Sequence, residues 1–303
     1  LLLLFIPIAF AIEEKFLVEK STNHLELFEP LGNVYDTFDN GMLSILADGT
    51  FSNSQGDFDY NQHLLFETTD SNEVVKYSED NNNVAADFLV IKNGNNIAKY
   101  TLEFLTDAKS KISDTSGYTS TWGEILWDFN DAKISLLSKE YTIVFAKRPQ
   151  QTPKDSIVLT LMSGAVKGSL NEGKSNTYTI DNKDYTVKLT YVDYMRAEFN
   201  VNGEVTKVLQ AGDFHQLNNG IKLGLSKVFY QNFNGGIHRA DFFLGTEKIV
   251  LRDNDISDTV STNELVVNSE VIDGAEVVIT GTDDDIMFRL KSIQIDMTAQ
   301  EDL

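Results

Sequence analysis

The chain has 303 residues, of which 42% are hydrophobic, and it is long enough for more than one compact core. Its 46 acidic and 25 basic residues give a formal net charge of −21, which disfavours nucleic acid and anionic membranes as partners because both are polyanions. The chain contains no cysteine, so it has no disulfide framework and no cysteine-ligated zinc site.

An apolar run opens the chain over residues 1–11. It is too short to span a bilayer as a helix, which takes about 20 residues. Ala9-Phe10-Ala11 has the small-x-small pattern that precedes signal cleavage. We therefore expect residues 1–11 to be a signal peptide remnant and the secreted protein to begin at Ile12; a buried strand and a membrane anchor are the alternatives. No second apolar run follows, so any membrane anchor is expected outside this segment.

Segments of alternating polarity then follow one another along the chain and predict strands over 42–46, 63–66, 74–77, 85–92, 97–105 and 134–145. Asn93-Gly94-Asn95-Asn96 predicts a hairpin between the fourth and fifth of these strands. Residues 124–129 combine aromatic and aliphatic side chains in a way that predicts one helical turn. Pro149 and Pro153 cannot continue a central strand, so they indicate a domain boundary or a long loop.

A second series of strands is predicted over residues 157–251, with turns that contain Asn and Gly. The clearest turn is Asn202-Gly203, a dipeptide that favours a type I′ hairpin. We predict a mainly β protein of tandem β-sandwich or barrel-like domains with at most short helices. The expected domains are residues 12–148, residues 149–252, and a linker with the start of a third β unit over 253–303.

The sequence has no recognisable catalytic motif. Its four histidines, at positions 24, 63, 215 and 238, are far apart, and no HExxH, GxSxG or phosphate-binding glycine pattern occurs. We therefore predict that the protein is not an enzyme. An extracellular hydrolase that uses a pair of carboxylates remains the least favoured alternative, because so many acids guarantee close pairs somewhere.

Two acidic clusters stand between predicted strands, where several oxygen ligands can converge on a hard cation such as calcium. Their members are Asp253, Asp255 and Asp258 in the first cluster and Asp283, Asp284 and Asp285 in the second. Neither cluster has the EF-hand spacing, so solvated turn acids are the commoner interpretation. Calcium is the one cofactor that the sequence suggests.

Large aromatic residues offer two further interpretations. Tyr118, Trp122 and Trp127 suit either a core or a platform for stacking a carbohydrate, and the core is the commoner role. Phe242 and Phe243 are adjacent, so one ring should leave the core unless both faces of the strand are covered. Such an exposed ring would indicate a protein interface.

Several phrases of this chain resemble archaeal surface-layer (S-layer) proteins of the methanococcal and DPANN kind. The resemblance begins with Leu-Leu-Ser-Lys-Glu-Tyr-Thr-Ile-Val at 136–144 and Ile-Val-Leu-Thr-Leu-Met-Ser-Gly-Ala-Val at 157–166, and covers roughly residues 60 to 300. It continues through residues 170–173, 178–180, 183–187, 199–204, 243–251 and 271–275. The match lies in the order and length of these phrases and includes no catalytic signature.

The resemblance implies a secreted, structural cell-wall protein that assembles with copies of itself into an extracellular coat. Members of this family are commonly N-glycosylated, but Asn53, Asn176 and Asn268 all lack the Ser or Thr that a sequon requires at its third position. The alternative from the binding class is a surface adhesin or glycan-binding module.

Overall fold

The computed structural model describes residues 19–20, 23–24, 26, 29–67, 74–79, 85–112, 124–148, 156–233, 235–254, 263–284 and 286–302. These residues form a mainly β protein of several antiparallel sheets, which confirms the predicted fold class. Residues 1–11 lie outside the described residues. Among those that are described, no helix is long and apolar enough to cross a membrane.

In the first part of the chain, the described residues form two 3₁₀ helices and twelve strands. The helices are Leu31–Asn33 and Ser44–Leu46. The strands are β1 Glu19–Lys20, β2 Asn23–His24, β3 Thr37–Phe38, β4 Gly49–Asn53, β5 Gly56–Leu65, β6 Val74–Glu79, β7 Ala85–Val90, β8 Asn96–Lys111, β9 Glu124–Ile125, β10 Lys133–Leu136, β11 Lys139–Arg148 and β12 Ile157–Ser163.

Fourteen further strands follow among the described residues. The middle of the chain contains β13 Val166–Asn171, β14 Ser175–Ile180, β15 Lys183–Val192, β16 Arg196–Val201, β17 Glu204–Val205, β18 Leu209–Gln210, β19 Phe214–Gln216, β20 Lys222–Tyr230 and β21 His238–Gly245. The last part contains β22 Glu247–Asp253, β23 Glu264–Val267, β24 Glu270–Val271, β25 Ala275–Asp283 and β26 Met287–Thr298.

The first sandwich consists of two sheets that bury one large apolar core between them. Sheet I has the order β25-β26-β8-β5-β3, with β4 on β5, and sheet II has the order β10-β11-β12-β22-β23-β24, with β9 on β11. Residues from both parts of the chain fill this core, for example Phe51 and Leu102 from sheet I and Leu159 and Leu251 from sheet II. The first sandwich is therefore closed by strands that are distant in sequence.

The second sandwich is built entirely from residues between β12 and β22. Sheet III has the order β13-β21-β20-β19, and sheet IV has the order β14-β15-β16-β17, with β18 on β16. Alternate residues such as Val187 and Leu189 of β15 are buried against Leu223 and Phe242 of sheet III, while their neighbours are exposed.

A pair of neighbouring strands continues from one sandwich into the other. The β12–β22 ladder ends where Ser163 pairs with Glu247, and the β13–β21 ladder starts where Val166 pairs with Leu244. At the junction the N–H of Thr246 donates to the carbonyl of Ser163 at 3.4 Å, and Gly164 adopts a φ of 59°. The second sandwich is thus inserted between two strands that remain paired.

The outer face of sheet II is partly covered by sheet III. Val144 and Met162 of sheet II pack against Phe243 of sheet III, and all three are buried. Ile157, Leu159 and Leu161 face the first core, and Met162 faces sheet III on the other side of the strand. Every residue of β12 is buried. This double coverage explains why five of the seven residues of that strand are apolar.

The grouping of strands differs from the division of the chain into residues 12–148, 149–252 and 253–303. β26 pairs with β8 along almost its whole length, and β23 pairs with β22. Residues 264–298 therefore complete the first sandwich and do not start a separate unit. Sequence periodicity predicts such strands but cannot identify partners that lie almost 200 residues away.

Of the local structures predicted from the sequence, one hairpin is confirmed, and another hairpin and a helical turn are wrong. Asn202 and Gly203 have φ values of 51° and 95° between the paired residues Val201 and Glu204, which confirms the type I′ hairpin. The hairpin predicted at residues 93–96 is wrong, because β7 pairs with β6 and β8 pairs with β5 and β26. The helical turn predicted over 124–129 is also wrong: a two-residue strand is followed by turns in which Phe129 donates to the carbonyl of Leu126.

The expectation of one exposed ring at Phe242 or Phe243 is wrong as well. Phe242 lies in the core of the second sandwich, in a tilted contact with Phe199 whose ring centroids are 4.9 Å apart. Phe243 points the other way and is covered by sheet II. Both rings are buried because sheet III is covered on both faces.

A buried polar cluster ties β11 to β22. The Tyr141 hydroxyl donates to the carboxylate of Glu247 at 2.7 Å, and the Lys139 ammonium lies 3.0 Å from the same oxygen. Burial, followed by the hydrogen bond and the charge of Glu247, raises the pKa of Tyr141. These contacts satisfy polar groups that could not be buried alone.

Candidate functional site

The first predicted acidic cluster is only partly described. Asp253 is the last residue of β22 and is fully buried between sheets I and II. One of its carboxyl oxygens accepts a hydrogen bond from the backbone N–H of Ile279 at 2.6 Å. Asp255 and Asp258 lie outside the described residues. Asp253 therefore stabilises the contact between the two sheets.

In the second cluster, Asp283 is the last residue of β25 and Asp284 lies in the following turn. Asp285 lies outside the described residues. The carboxylate of Asp284 accepts hydrogen bonds from the N–H groups of Ile286 and Met287, at 3.0 and 2.8 Å, and from the guanidinium of Arg289. These three donors hold the pKa of Asp284 below its usual value.

No group of three or more His, Cys, Asp or Glu side chains forms a potential metal site within the described part of the chain. Asp253 and Asp284 are both engaged by donors of the protein itself. Calcium binding by the two clusters stays a prediction that the described residues do not test.

The aromatic cluster is also only partly described, since Tyr118 and Trp122 lie outside the described residues. Trp127 is half-buried, and the ammonium of Lys227 lies 4.5 Å from the centre of its ring. Trp127 follows β9 of the first sandwich and Lys227 is on β20 of the second. Trp127 therefore contributes to the contact between the two sandwiches.

A cleft of about 500 Å³ lies between the outer face of sheet II and a loop of the second sandwich. Its size falls within the range of small-molecule sites. Its floor comes from three adjacent strands, β11, β12 and β22, and its wall comes from residues 211–214. The lining residues are Phe145, Lys147, Ser156, Val158, Thr160, Ala211, Gly212, Asp213, Phe214, Lys248, Val250, Arg252 and Asn254.

The strand register aligns the cations of the floor. Lys147 pairs with Val158, and Val158 pairs with Arg252, so the two basic residues flank Val158 in one row across the sheet. Lys248 lies further along β22, where it pairs with Met162. Alternation along β22 directs Lys248, Val250 and Arg252 to the same outer face.

The loop that forms the wall of the cleft contains a glycine that no other residue can replace without a clash. Gly212 adopts a φ of 86°, and a Cβ atom at this position would lie 2.8 Å from the ring of Phe145. The carboxylate of Asp213 accepts a hydrogen bond from the N–H of Gln210 at 3.0 Å. The loop therefore places the carboxylate of Asp213 at the cleft while using it to close its own turn.

Positive charge dominates the cleft although the whole protein is strongly acidic. Burial and the charge of Arg252 lower the pKa of Lys147, and the charge of Asp213 opposes them. Burial and the charges of Lys222 and Lys207 lower the pKa of Lys248, again opposed by Asp213. Two ammonium groups are thus held in partly dehydrated positions next to other cations.

No pattern in the sequence predicts this cleft. Lys147 is about 100 residues away from Lys248 and Arg252 along the chain, and the three residues belong to no motif. The available signal is the position of Lys147, Lys248 and Arg252 on strands whose other outward residues, such as Phe145 of β11 and Val250 of β22, are apolar. When a strand has apolar outward residues and one outward lysine, the pattern indicates that this face of the sheet is covered by other residues and that a charged cleft lies at the lysine.

No protein-family model, curated protein or solved structure matches this chain.

Proposed function

We propose that this protein is a structural subunit of a secreted, self-assembling archaeal cell-surface coat of the S-layer type. The observation that carries the proposal is the continuous strand pair that joins the two sandwiches. Two covalent connections, a hydrogen bond between Thr246 and Ser163, and the packing of Phe243 against Met162 all resist bending at the junction. A stiff plate of this kind suits a subunit that must tile a surface without enzymatic chemistry.

Sheet edges supply a means of contact between copies. Among the described strands, β14 pairs only with β15, and its six residues, Ser-Asn-Thr-Tyr-Thr-Ile, include no charge. Alternate residues of such an edge direct their N–H and C=O groups away from the sheet. Soluble proteins usually protect edges with charged residues, so the absence of charge on β14 favours pairing with a neighbouring copy.

The proposal is tested by electron microscopy of purified secreted protein, with Thr177→Lys as the informative variant. A lysine on the β14 edge should abolish ordered sheets while circular dichroism and the melting temperature stay close to the wild type. Thr186→Lys is the matched control, because Thr186 pairs with Thr177 on the interior strand β15 and shares its hydroxyl contact. Assembly should survive in this control.

A wild-type protein that remains monomeric under all assembly conditions would contradict the proposal. That result, together with a bound glycan, would favour the surface adhesin. Ordered sheets that persist in Thr177→Lys would leave the coat function standing and remove β14 as the contact.

A further inference from the structure

The cleft between the two sandwiches concentrates positive charge in a protein of net charge −21. Neither Lys147 nor Lys248 forms a hydrogen bond or ion pair through its ammonium group with any residue that the structure describes. Lys248 instead lies over the ring of Phe214, 4.7 Å from its centre. Arg252 forms an ion pair with the carboxylate of Glu264 at 2.8 Å.

Such an arrangement is unfavourable when the cleft is empty. Partly buried ammonium groups lose hydration, and each of the two faces another cation. Asp213, the one acid among the described lining residues, is already engaged by the N–H of Gln210. A bound anion would relieve both the lost hydration and the repulsion, so the charges favour a negatively charged ligand.

The rest of the lining indicates what else that ligand carries. Ser156 and Thr160 place hydroxyl groups on the floor beside the basic residues. Val158 and Val250 provide apolar surface between them. A compact molecule with a carboxylate, several hydroxyls and a hydrocarbon face would use all three kinds of contact in the available volume.

We propose that this cleft binds an acidic sugar, with its carboxylate between Lys147 and Arg252 and its hydroxyls against Ser156 and Thr160. The site is separate from the β14 edge and does not depend on coat assembly. It gives the protein a ligand-recognition function in addition to a structural one.

The test uses the full chain in its folded state and three probes: glucuronate, glucose and inorganic phosphate. Isothermal titration calorimetry should detect glucuronate, with no binding of glucose because it lacks the carboxylate. In Lys147→Met the affinity for glucuronate should fall by about tenfold or more, since a charge-assisted contact is removed. Phosphate binding without glucuronate binding would overturn the sugar assignment.

Thermal stability gives a second readout, which a purely structural lysine would not produce. Lys147→Met should melt at a higher temperature than the wild type, because a repelled and dehydrated ammonium is replaced by an apolar chain of similar size. Glucuronate should raise the melting temperature of the wild type but not that of the variant. Lys188→Met, an exposed position on β15, is the control for the loss of one charge and should bind as the wild type does.

Equal affinity for glucuronate in the wild type and in Lys147→Met would overturn the proposal. Failure of the wild type to bind glucuronate at all would do the same.

Discussion

The carboxyl group of Asp253 on sheet II accepts a hydrogen bond from the backbone N–H of Ile279 on sheet I. β25, which contains Ile279, is an edge strand, and it pairs only with β26 among the described strands. Some of its N–H groups therefore point away from the ladder. Asp253 satisfies one of them inside the protein and connects the two sheets at the same time.

Asp253→Ala should destabilise the fold by about 1 to 3 kcal/mol, because the N–H of Ile279 loses its partner in a dry environment. Urea unfolding measures the change. Asp57→Ala removes an exposed carboxylate from β5 and should stay within about 0.5 kcal/mol of the wild type. Equal effects of the two substitutions would show that the bond to Ile279 does not stabilise the sandwich.

Gly203→Val should cost at least about 1 kcal/mol in stability. The reason is backbone strain alone, since a Cβ at this position meets no atom within 4 Å and φ is 95°. Gly203→Asn should cost less, because Asn tolerates positive φ better than a β-branched residue. Thermal unfolding of both variants checks the order, which is expected to be wild type, Asn and then Val.

Alkaline pH should unfold the protein partly through two buried tyrosines. Burial raises the pKa of Tyr100 and of Tyr141, so the unfolded chain releases these protons at a lower pH than the folded protein. Their contribution to stability is complete below the unfolded pKa, about 10, and is lost as the pH rises above it.

Tyr100→Phe and Tyr141→Phe should therefore flatten the fall of unfolding free energy with pH above that value. Tyr194→Phe, at an exposed position, should leave the slope as it is in the wild type. Urea titrations at a series of alkaline pH values measure the slopes. Identical slopes for the three variants would contradict the assignment of this pH dependence to Tyr100 and Tyr141.

Phe243→Ala should separate the unfolding of the two sandwiches. The substitution removes the ring between Val144 and Met162 and should destabilise the contact by about 3 to 5 kcal/mol. Calorimetry is expected to resolve two transitions where the wild type shows one. Phe242→Ala should instead lower the stability of the second sandwich itself, because its ring lies in that core.

Assembly of the proposed coat should depend on divalent cations more than the fold does. Neighbouring copies with a charge of −21 repel one another, and monovalent salt screens this only over about 8 to 10 Å. Excess chelator is expected to disperse the coat into folded subunits, and added Ca²⁺ to restore it. Electron microscopy and circular dichroism follow the two states, and a coat that persists in chelator would show that pairing of sheet edges holds the copies together without divalent cations.

Patterns that depend on neighbouring residues were predictable from the sequence. The alternation along β15 and the Asn202-Gly203 turn follow from local geometry, and both appear where they were expected. The strand β8 was also expected, but its pairing with β26 was not, because loop length gives no information on which distant strand will close a sheet.

The candidate site could not be predicted for the same reason. Lys147 and Arg252 are neighbours only because β11 and β22 both pair with β12. The acidic clusters were visible as runs of Asp, but a run does not reveal that Asp253 faces inward. Burial of a carboxyl group depends on the second sheet, which the local sequence does not specify.

The junction at Ser163 and Thr246 makes the second sandwich a detachable module. Its two ends meet within one hydrogen bond, so a short turn could replace the whole insertion and leave β12 and β22 as an ordinary hairpin. Such a deletion would uncover Val144 and Met162, and a soluble minimal protein would need polar residues there. The same connection would accept a foreign domain whose termini lie equally close together, which makes this position suitable for grafting cargo onto the first sandwich.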